Sequence, residues 1–204
     1  ARPEHYEAVF SEGRAEFRRR DHGIELHTEI VVSPEDDIEL RRIRVANKSN
    51  AVRTIELTSY AEVVLAPFDA DAAHPAFSKL FVQTEILAER GAVLCTRRPR
   101  YKEDAEPWLL NLMTVHGDDP DVSAPPQSAQ FETSRERFIG RNGSNALPAA
   151  LAGHAGLGGT AGAVLDPAAA IRRVLTLAPH QTVTIDVVLG VVDTRDDAVR
   201  LIDK

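Results

Sequence analysis

The sequence predicts an all-β protein: a large antiparallel β-sandwich with one short internal helix and a second helix at the C-terminal end. Three observations lead there. Apolar and polar residues alternate over most of the chain, tight-turn signals separate these runs at short intervals, and no connection is long enough for a helical crossover between parallel strands. A chain of 204 residues is long enough for one sizeable core, and a sandwich of this size is commonly a single domain.

Taken in order, residues 6–10 and 14–19 read as two short strands about the turn SEG. Residues 23–32 alternate cleanly, with Ile24, Leu26, Thr28, Ile30 and Val32 on one side and Glu25, His27 and Glu29 on the other. Ser33, Pro34 and the acids Glu35, Asp36 and Asp37 make the next turn. The strand at 38–45 changes its apolar parity between Leu40 and Ile43, which predicts a bulge near Arg41 and Arg42. The turn NKSN then leads into a long strand, 52–65.

A polar loop, PFDADAA, interrupts the chain, and the segment HPAFSKLFVQTE (74–85) is expected to return as a strand. Leu80, Val82, Thr84 and Ile86 share one parity there, and His74, Pro75 and Phe77 sit at the loop junction. Strands 80–87 and 92–96 are joined by ERG. A polar loop with Pro99 and Pro107 precedes strand 108–115, and 118–127 reads as a surface loop rich in proline and acids. In FETSRERFIGR (131–141), Phe131, Arg135 and Phe138 fit helical spacing, giving a helix at 134–139. Residues 143–162 are rich in alanine and glycine and are expected to be mobile or loosely packed. A final hairpin, 169–177 and 182–192, turns at PHQ. Asp193 and Thr194 start a helix at 195–204 whose apolar side, Ala198, Leu201 and Ile202, is expected to pack on something beyond Lys204. The expected division is a sandwich domain at 1–192 and the start of a helical linker at 193–204.

Composition excludes several classes of function. The net charge is −7 and the pI near 5.5, with no basic accumulation beyond Arg18, Arg19 and Arg20 and the pair Arg97 and Arg98, so nucleic acid is not an expected partner. The single cysteine, Cys95, excludes an internal disulfide and fits a reducing compartment. No apolar run approaches the roughly 18–20 residues needed to cross a bilayer, and the first residues, ARPEHYE, lack an apolar signal-peptide centre. Both ends look cut from a longer polypeptide.

The chemical motifs are sparse. Glu25, His27 and Glu29 form a carboxylate, imidazole, carboxylate row that could hold a divalent cation, but no fourth ligand can be placed, and a solvated strand face is preferred. Gly156, Gly158 and Ala161 match the dinucleotide fingerprint without the required flanking strand and helix. There is no nucleophile elbow, and Cys95 sits mid-strand, where a buried thiol is inert. The acids fall mostly in turns, where solvation explains them. No catalytic residue, metal site or cofactor is therefore predicted. Sugar binding needs exposed aromatic faces and fixed polar groups. His74, Phe77, Trp108, Arg135 and Arg141 are the candidates to supply these.

Five blocks carry a family resemblance: VSPEDDIELRRIRVANKS (32–49), TIELTSYAEVVLAP (54–67), AAHPAFSKLFVQTE (72–85), FETSRERFIGR (131–141) and AGAVLDPAAAIRR (161–173). In order and spacing they resemble the N-terminal, glycosyltransferase 36-like β-sandwich domain of the cellobiose and chitobiose phosphorylase family. The resemblance is closer still to that domain in the cyclic β-1,2-glucan synthases of bacteria. It implies a mutarotase-like super-sandwich linked through helices to an (α/α)6 barrel that holds the catalytic acid and anion site, neither of which maps onto this chain. The implied partners are that barrel, a β-linked glucan and, in phosphorylase dimers, a second subunit. The implied location is the cytoplasmic side, within a parent anchored in the inner membrane, with no membrane contact by this segment. His74 to Phe77 and the RERFIGR block match family motifs and become candidates for a sugar-facing or barrel-facing edge. Two functional readings follow: a non-catalytic carbohydrate-associated module of a glucan-processing enzyme, or a purely structural interaction domain presenting an apolar patch that includes Leu201 and Ile202.

Overall fold

A computed structural model describes residues 2–99, 101, 104–117, 128–153 and 155–204. The chain begins with four strands in a meander: β1 (His5–Ser11), β2 (Arg14–Asp21), β3 (Ile24–Val32) and β4 (Ile38–Asn47). Glu12 and Gly13 make the first turn, and Gly13 takes φ +74°, which costs a residue without Cβ nothing. β5 (Arg53–Glu62) crosses to a second sheet, whereas β6 (Val82–Leu87), β7 (Ala92–Arg97) and β8 (Trp108–Gly117) return to the first. β9 (Gln130–Ser134) and β10 (Pro167–Leu177) join the second sheet, and β11 (Thr182–Val192) inserts between β4 and β8. The result is an eight-stranded sheet, β1-β2-β3-β4-β11-β8-β7-β6, facing a three-stranded sheet, β5-β10-β9, with every pairing antiparallel.

The core lies between the sheets. Val45, Val93, Met113, Val115, Val183 and Ile185 of the large sheet meet Phe131, Ala169, Ile171, Leu175 and Leu177 of the small one. Burial of each larger side chain contributes about 1.5–3 kcal/mol, so this inter-sheet surface is the main source of stability. Two of the four crossovers between sheets, β4 to β5 and β10 to β11, meet at the fully buried Asn47. Its amide donates to the carbonyls of Ala51, Leu177 and Ala178, and its Oδ1 accepts from Ser49 N and Oγ.

The structure revises five expectations. The segment after β5 is helical: α1 (Phe68–Ala73) and α2 (Pro75–Lys79) occupy the expected polar loop and the start of the expected strand, which begins only at Val82. Pro67 precedes α1, His74 ends one helix and opens the next, and Pro75 sits at the first helical position, where its missing N–H costs nothing. With α3 (Arg135–Ile139), capped by Ser134, there are three short internal α-helices among the described residues rather than one. No bulge interrupts β4, whose pairing with β3 and β11 runs unbroken through Arg41 and Arg42. Its parity changes because Leu40 stands beside Val31 and Val188 on one face while Ile43 and Val45 enter the core on the other. The register shift lies in β10 instead, between Pro167 and Ala170.

The alanine- and glycine-rich segment 143–162 is pinned rather than loose. Gly159 N donates to Phe131 O, Gly162 exchanges backbone hydrogen bonds with Thr84, and Arg172, 1% exposed, donates to the carbonyls of Ala150 and Ala155. A side chain at Gly158 would meet Glu132 Oε2 at 2.7 Å, so this glycine permits close approach to β9. No helix follows Ala161, in keeping with the rejected dinucleotide fingerprint. The expected surface loop at 118–127 lies outside the described residues.

The last helix, α4 (Arg195–Asp203), covers its own apolar face within the domain. Ala198 is buried, and Val199, Leu201 and Ile202 pack with Leu94, Leu110, Val188 and Trp108 on the outer face of the large sheet. Arg195 forks onto Glu85 at 2.6 and 3.0 Å, and Arg90 onto Asp203 at 2.8 and 3.2 Å. Leu201 and Ile202 therefore face the sheet instead of forming the expected patch.

Two outcomes are expected. Asn47→Ala leaves three carbonyls and Ser49 N without this partner and costs about 2–4 kcal/mol, measured by urea unfolding. The second concerns pH. Hydrogen bonding to Arg195 holds the Glu85 carboxyl below its ordinary 4.5, and Arg90 holds Asp203 below 3.8. Their stabilisation is fully present above those ordinary values and is lost as pH falls through the lowered ones. Fluorescence of Trp108, the single tryptophan and packed with α4, shifts red in an acid titration only below the ordinary carboxylate range.

Candidate functional site

A cleft of about 680 Å³ lies between α1–α2 and the chain after β7. Its walls are largely apolar: Leu65, Pro67, Ala70 and Phe77 on the helical side, Pro99, Ala105 and Pro107 opposite. Leu65 holds φ +47°, an uncommon backbone conformation for a bulky residue at the cleft wall. His74, Ser78, Arg97, Arg98 and Asp104 supply the polar groups.

Within the cleft the chemistry is uneven. Phe77 is 52% exposed, held edge-on against Phe81 with ring centroids 5.2 Å apart. Arg97 donates to Ser78 O at 2.7 Å and lies over the Phe81 ring at 5.3 Å, fixing the helix that carries Phe77. Ser78 is only 3% exposed, and its Oγ has no hydrogen-bond partner among the described residues. A buried hydroxyl in that state carries an uncompensated desolvation cost.

Beside the cleft runs a charged chain. Lys79, the last residue of α2, donates to Asp166 at 2.7 Å, Arg135 at the start of α3 donates to Glu62 at 2.9 Å, and Arg135 reaches Asp166 at 3.6 Å. Tyr60 donates to Glu62 at 3.2 Å and stacks on Phe138 at 4.7 Å. Hydrogen bonding to Arg135 holds the Glu62 carboxyl below the usual range, while burial and then the nearby Glu62 charge push the Tyr60 phenol up to about 12. Three elements distant in sequence, β5, α2 and α3, thereby meet at the start of β10.

Of the five sequence candidates, His74 and Phe77 line the cleft, and Arg135 joins the adjoining network. Arg141 is exposed on the turn after α3. Trp108 is apart from them: it follows a cleft residue, Pro107, but packs with the cluster of Leu94, Leu110 and α4 on the outer face of the large sheet. Sequence reasoning missed Ser78, Tyr60, Glu62, Lys79 and Asp166. The one available signal was the helical spacing of FDADAA and PAFSK, which would have set Ser78 beside the cleft.

On the opposite side of the large sheet, β2 supplies Glu16 to the Glu25, His27, Glu29 row. Ligand atoms of Glu16, His27 and Glu29 lie within 4.8 Å of one another. Arg14 contacts Glu16 at 2.7 Å and Glu29 at 3.3 Å, Arg18 contacts Glu16 at 3.3 Å, and His27 Nε2 lies 3.0 Å from Glu16. The guanidinium groups already neutralise these carboxylates, and the arrangement is an ion-pair lattice. Burial pushes the Cys95 thiol up to about 12, so it carries no thiolate chemistry. No described helix is long and apolar enough to cross a membrane.

The model of the glycosyl hydrolase 94 supersandwich domain matches residues 1–204. The chain belongs to this family. The supersandwich domain is 36% identical over 176 residues to the cyclic β-(1,2)-glucan synthase NdvB of Rhizobium meliloti (strain 1021), which covers 86% of this chain and 6% of the synthase. Among solved structures, a human-microbiome protein described as a kojibiose phosphorylase aligns with a TM-score of 0.50 at 9% identity, covering 93% of this chain and 20% of that one. A polysaccharide lyase aligns with the same TM-score and identity, covering 92% and 23%. At that identity both likenesses concern the fold. The chain spans a small part of each of these relatives.

Ser78→Ala is expected to leave stability within about 1 kcal/mol of the parent or slightly raise it, because the lost hydroxyl has no partner to release. Thermal unfolding checks this.

Proposed function

We propose that this supersandwich domain is a non-catalytic, carbohydrate-associated part of a larger glucan-processing enzyme. Its α1–α2 cleft forms one wall of the sugar path and abuts the catalytic (α/α)6 domain of the same polypeptide. The supporting observation is an exposed phenyl face, Phe77, inside a largely apolar cleft that also carries the polar side chains of His74, Arg98 and Asp104. A pyranose has that double character, apolar C–H surface beside hydroxyl groups. Membership of the family and the likeness to a β-(1,2)-glucan synthase favour a β-linked glucan as the sugar.

Arg135 extends the wall rather than lining the cleft, since Glu62 and Asp166 already engage it. Its guanidinium keeps Lys79, and with it α2, oriented through their shared partner Asp166.

Calorimetric titration with β-1,2-gluco-oligosaccharides tests the reading. A single wall binds weakly, with a dissociation constant on the order of millimolar. Phe77→Ala is expected to weaken binding about 3–10-fold, the worth of one stacking contact. Arg135→Ala is expected to weaken it less. A flat titration of the parent domain overturns the reading and leaves a structural interaction domain.

A further inference from the structure

β1 is the outer edge of the eight-stranded sheet, and all seven of its residues are exposed. At the other edge, β6 is bridged by the pair Thr84 and Gly162. Edge strands are ordinarily blunted by lysine, proline, bulges or brevity. The sequence HYEAVFS carries no lysine or proline, and its pairing with β2 runs unbroken from His5 with Arg20 to Ser11 with Arg14. In a hairpin with a two-residue turn the flanking pair, Ser11 and Arg14, exchanges both hydrogen bonds. Alternation then aims the N–H and C=O groups of Tyr6, Ala8 and Phe10 away from β2. Tyr6 is 58% and Phe10 74% exposed, on the face that elsewhere forms the core, and Phe10 meets Phe17 edge-on at 5.9 Å.

We propose that β1 pairs antiparallel with β1 of a second copy of this chain about a two-fold axis at Ala8, joining the two large sheets into one. A two-fold interface requires a strand complementary to itself. Centred on Ala8, all seven residues pair, and Tyr6 of each copy stands opposite Phe10 of the other on the apolar face. Roughly six backbone hydrogen bonds form, from the outward groups of Tyr6, Ala8 and Phe10. On the polar face Glu7 stands opposite Val9, and Glu7 keeps its own Arg18 at 3.3 Å. A register centred on Glu7 would oppose two carboxylates, and one centred on Val9 would pair only five residues, from Glu7 to Ser11. The nearest charge on the aromatic face, Arg19, is already neutralised by Asp21 at 2.8 Å, so the face does not repel its copy.

Edge pairing buries less than about 1,200 Å² and predicts a dissociation constant on the order of 10 µM. Analytical ultracentrifugation of the 204-residue chain should show a concentration-dependent dimer. In the double variant His5→Cys/Ser11→Cys, each new thiol stands opposite its counterpart in the second copy. The two are too far apart along one strand, about 20 Å, to bridge within a chain. Cys95 is buried, so mild oxidation should yield a covalent dimer that reductant dissolves. Ala8→Pro removes an outward N–H without touching the β1–β2 hydrogen bonds, and should weaken the dimer at least tenfold with an unchanged circular dichroism spectrum. A parent chain that stays monomeric at about 200 µM overturns the proposal, given the predicted affinity. So does a dimer that the cysteine pair fails to link. Should Ala8→Pro perturb folding, the cysteine pair alone decides.

Discussion

The structure depends on burying both faces of one strand. β10 sits at the middle of the small sheet, and Ile171, Leu175 and Leu177 point from it into the core against Val93, Met113 and Val115. Between them the chain carries two consecutive arginines, whose side chains leave on opposite faces because strand side chains alternate. Arg173 enters the inter-sheet space, donating to Met113 O at 2.9 Å and Ser128 Oγ at 3.1 Å, and burial lowers its pKa from the ordinary value. Arg172 leaves on the outer face, donating to Thr58 Oγ1 and to the carbonyls of Ala150 and Ala155. A buried guanidinium is tolerable when its donors are met, and those of Arg172 are met largely by backbone carbonyls of segment 143–162. The same strand thus closes the sandwich on one side and straps segment 143–162 on the other.

That strap positions the candidate site. With Ala170 under Phe138 and Ile139, α3 is seated on the outer face of the small sheet, and Ser134 caps it by accepting from Arg137 N. Arg135 is therefore delivered to Glu62 and Asp166, and Lys79 joins them from α2. The cleft beyond is largely apolar because prolines and alanines build its walls, and among its polar groups Arg97 is held by Ser78 O at 2.7 Å. The sandwich supplies the frame of the cleft, while two short helices carry His74 and Phe77 to its wall.

The outer face of the large sheet is divided along its width. Over β7 and β8 it is apolar and α4 covers it, while over β2, β3 and β4 it carries the Arg14, Glu16, His27, Glu29 lattice and the Arg42 fork on Asp186 at 2.9 and 3.0 Å. One sheet thus meets a helix at one end and solvent at the other. Individual exposed ion pairs there contribute little, which suits a role in solubility and register rather than in stability.

Local patterning by itself determined the all-β class, most strand positions, the α3 and α4 helices and the inert state of Cys95, since each follows from residues adjacent in the chain. The family blocks likewise marked His74 and Phe77 without any knowledge of contacts. Where two signals competed, the sequence misled: the parity change at Arg41 and Arg42 is a strand apolar on both faces, and Gly156 and Gly158 allow close packing on β9 rather than looseness. Only the tertiary structure decided that Trp108 goes under α4 and not into the cleft, that Ser78 is buried without a partner, and that Glu62, Lys79, Arg135 and Asp166 meet. Those facts depend on which face of a strand is covered and on which distant elements the sheet order brings together. Pairing across more than 70 residues leaves no mark on the spacing of its members.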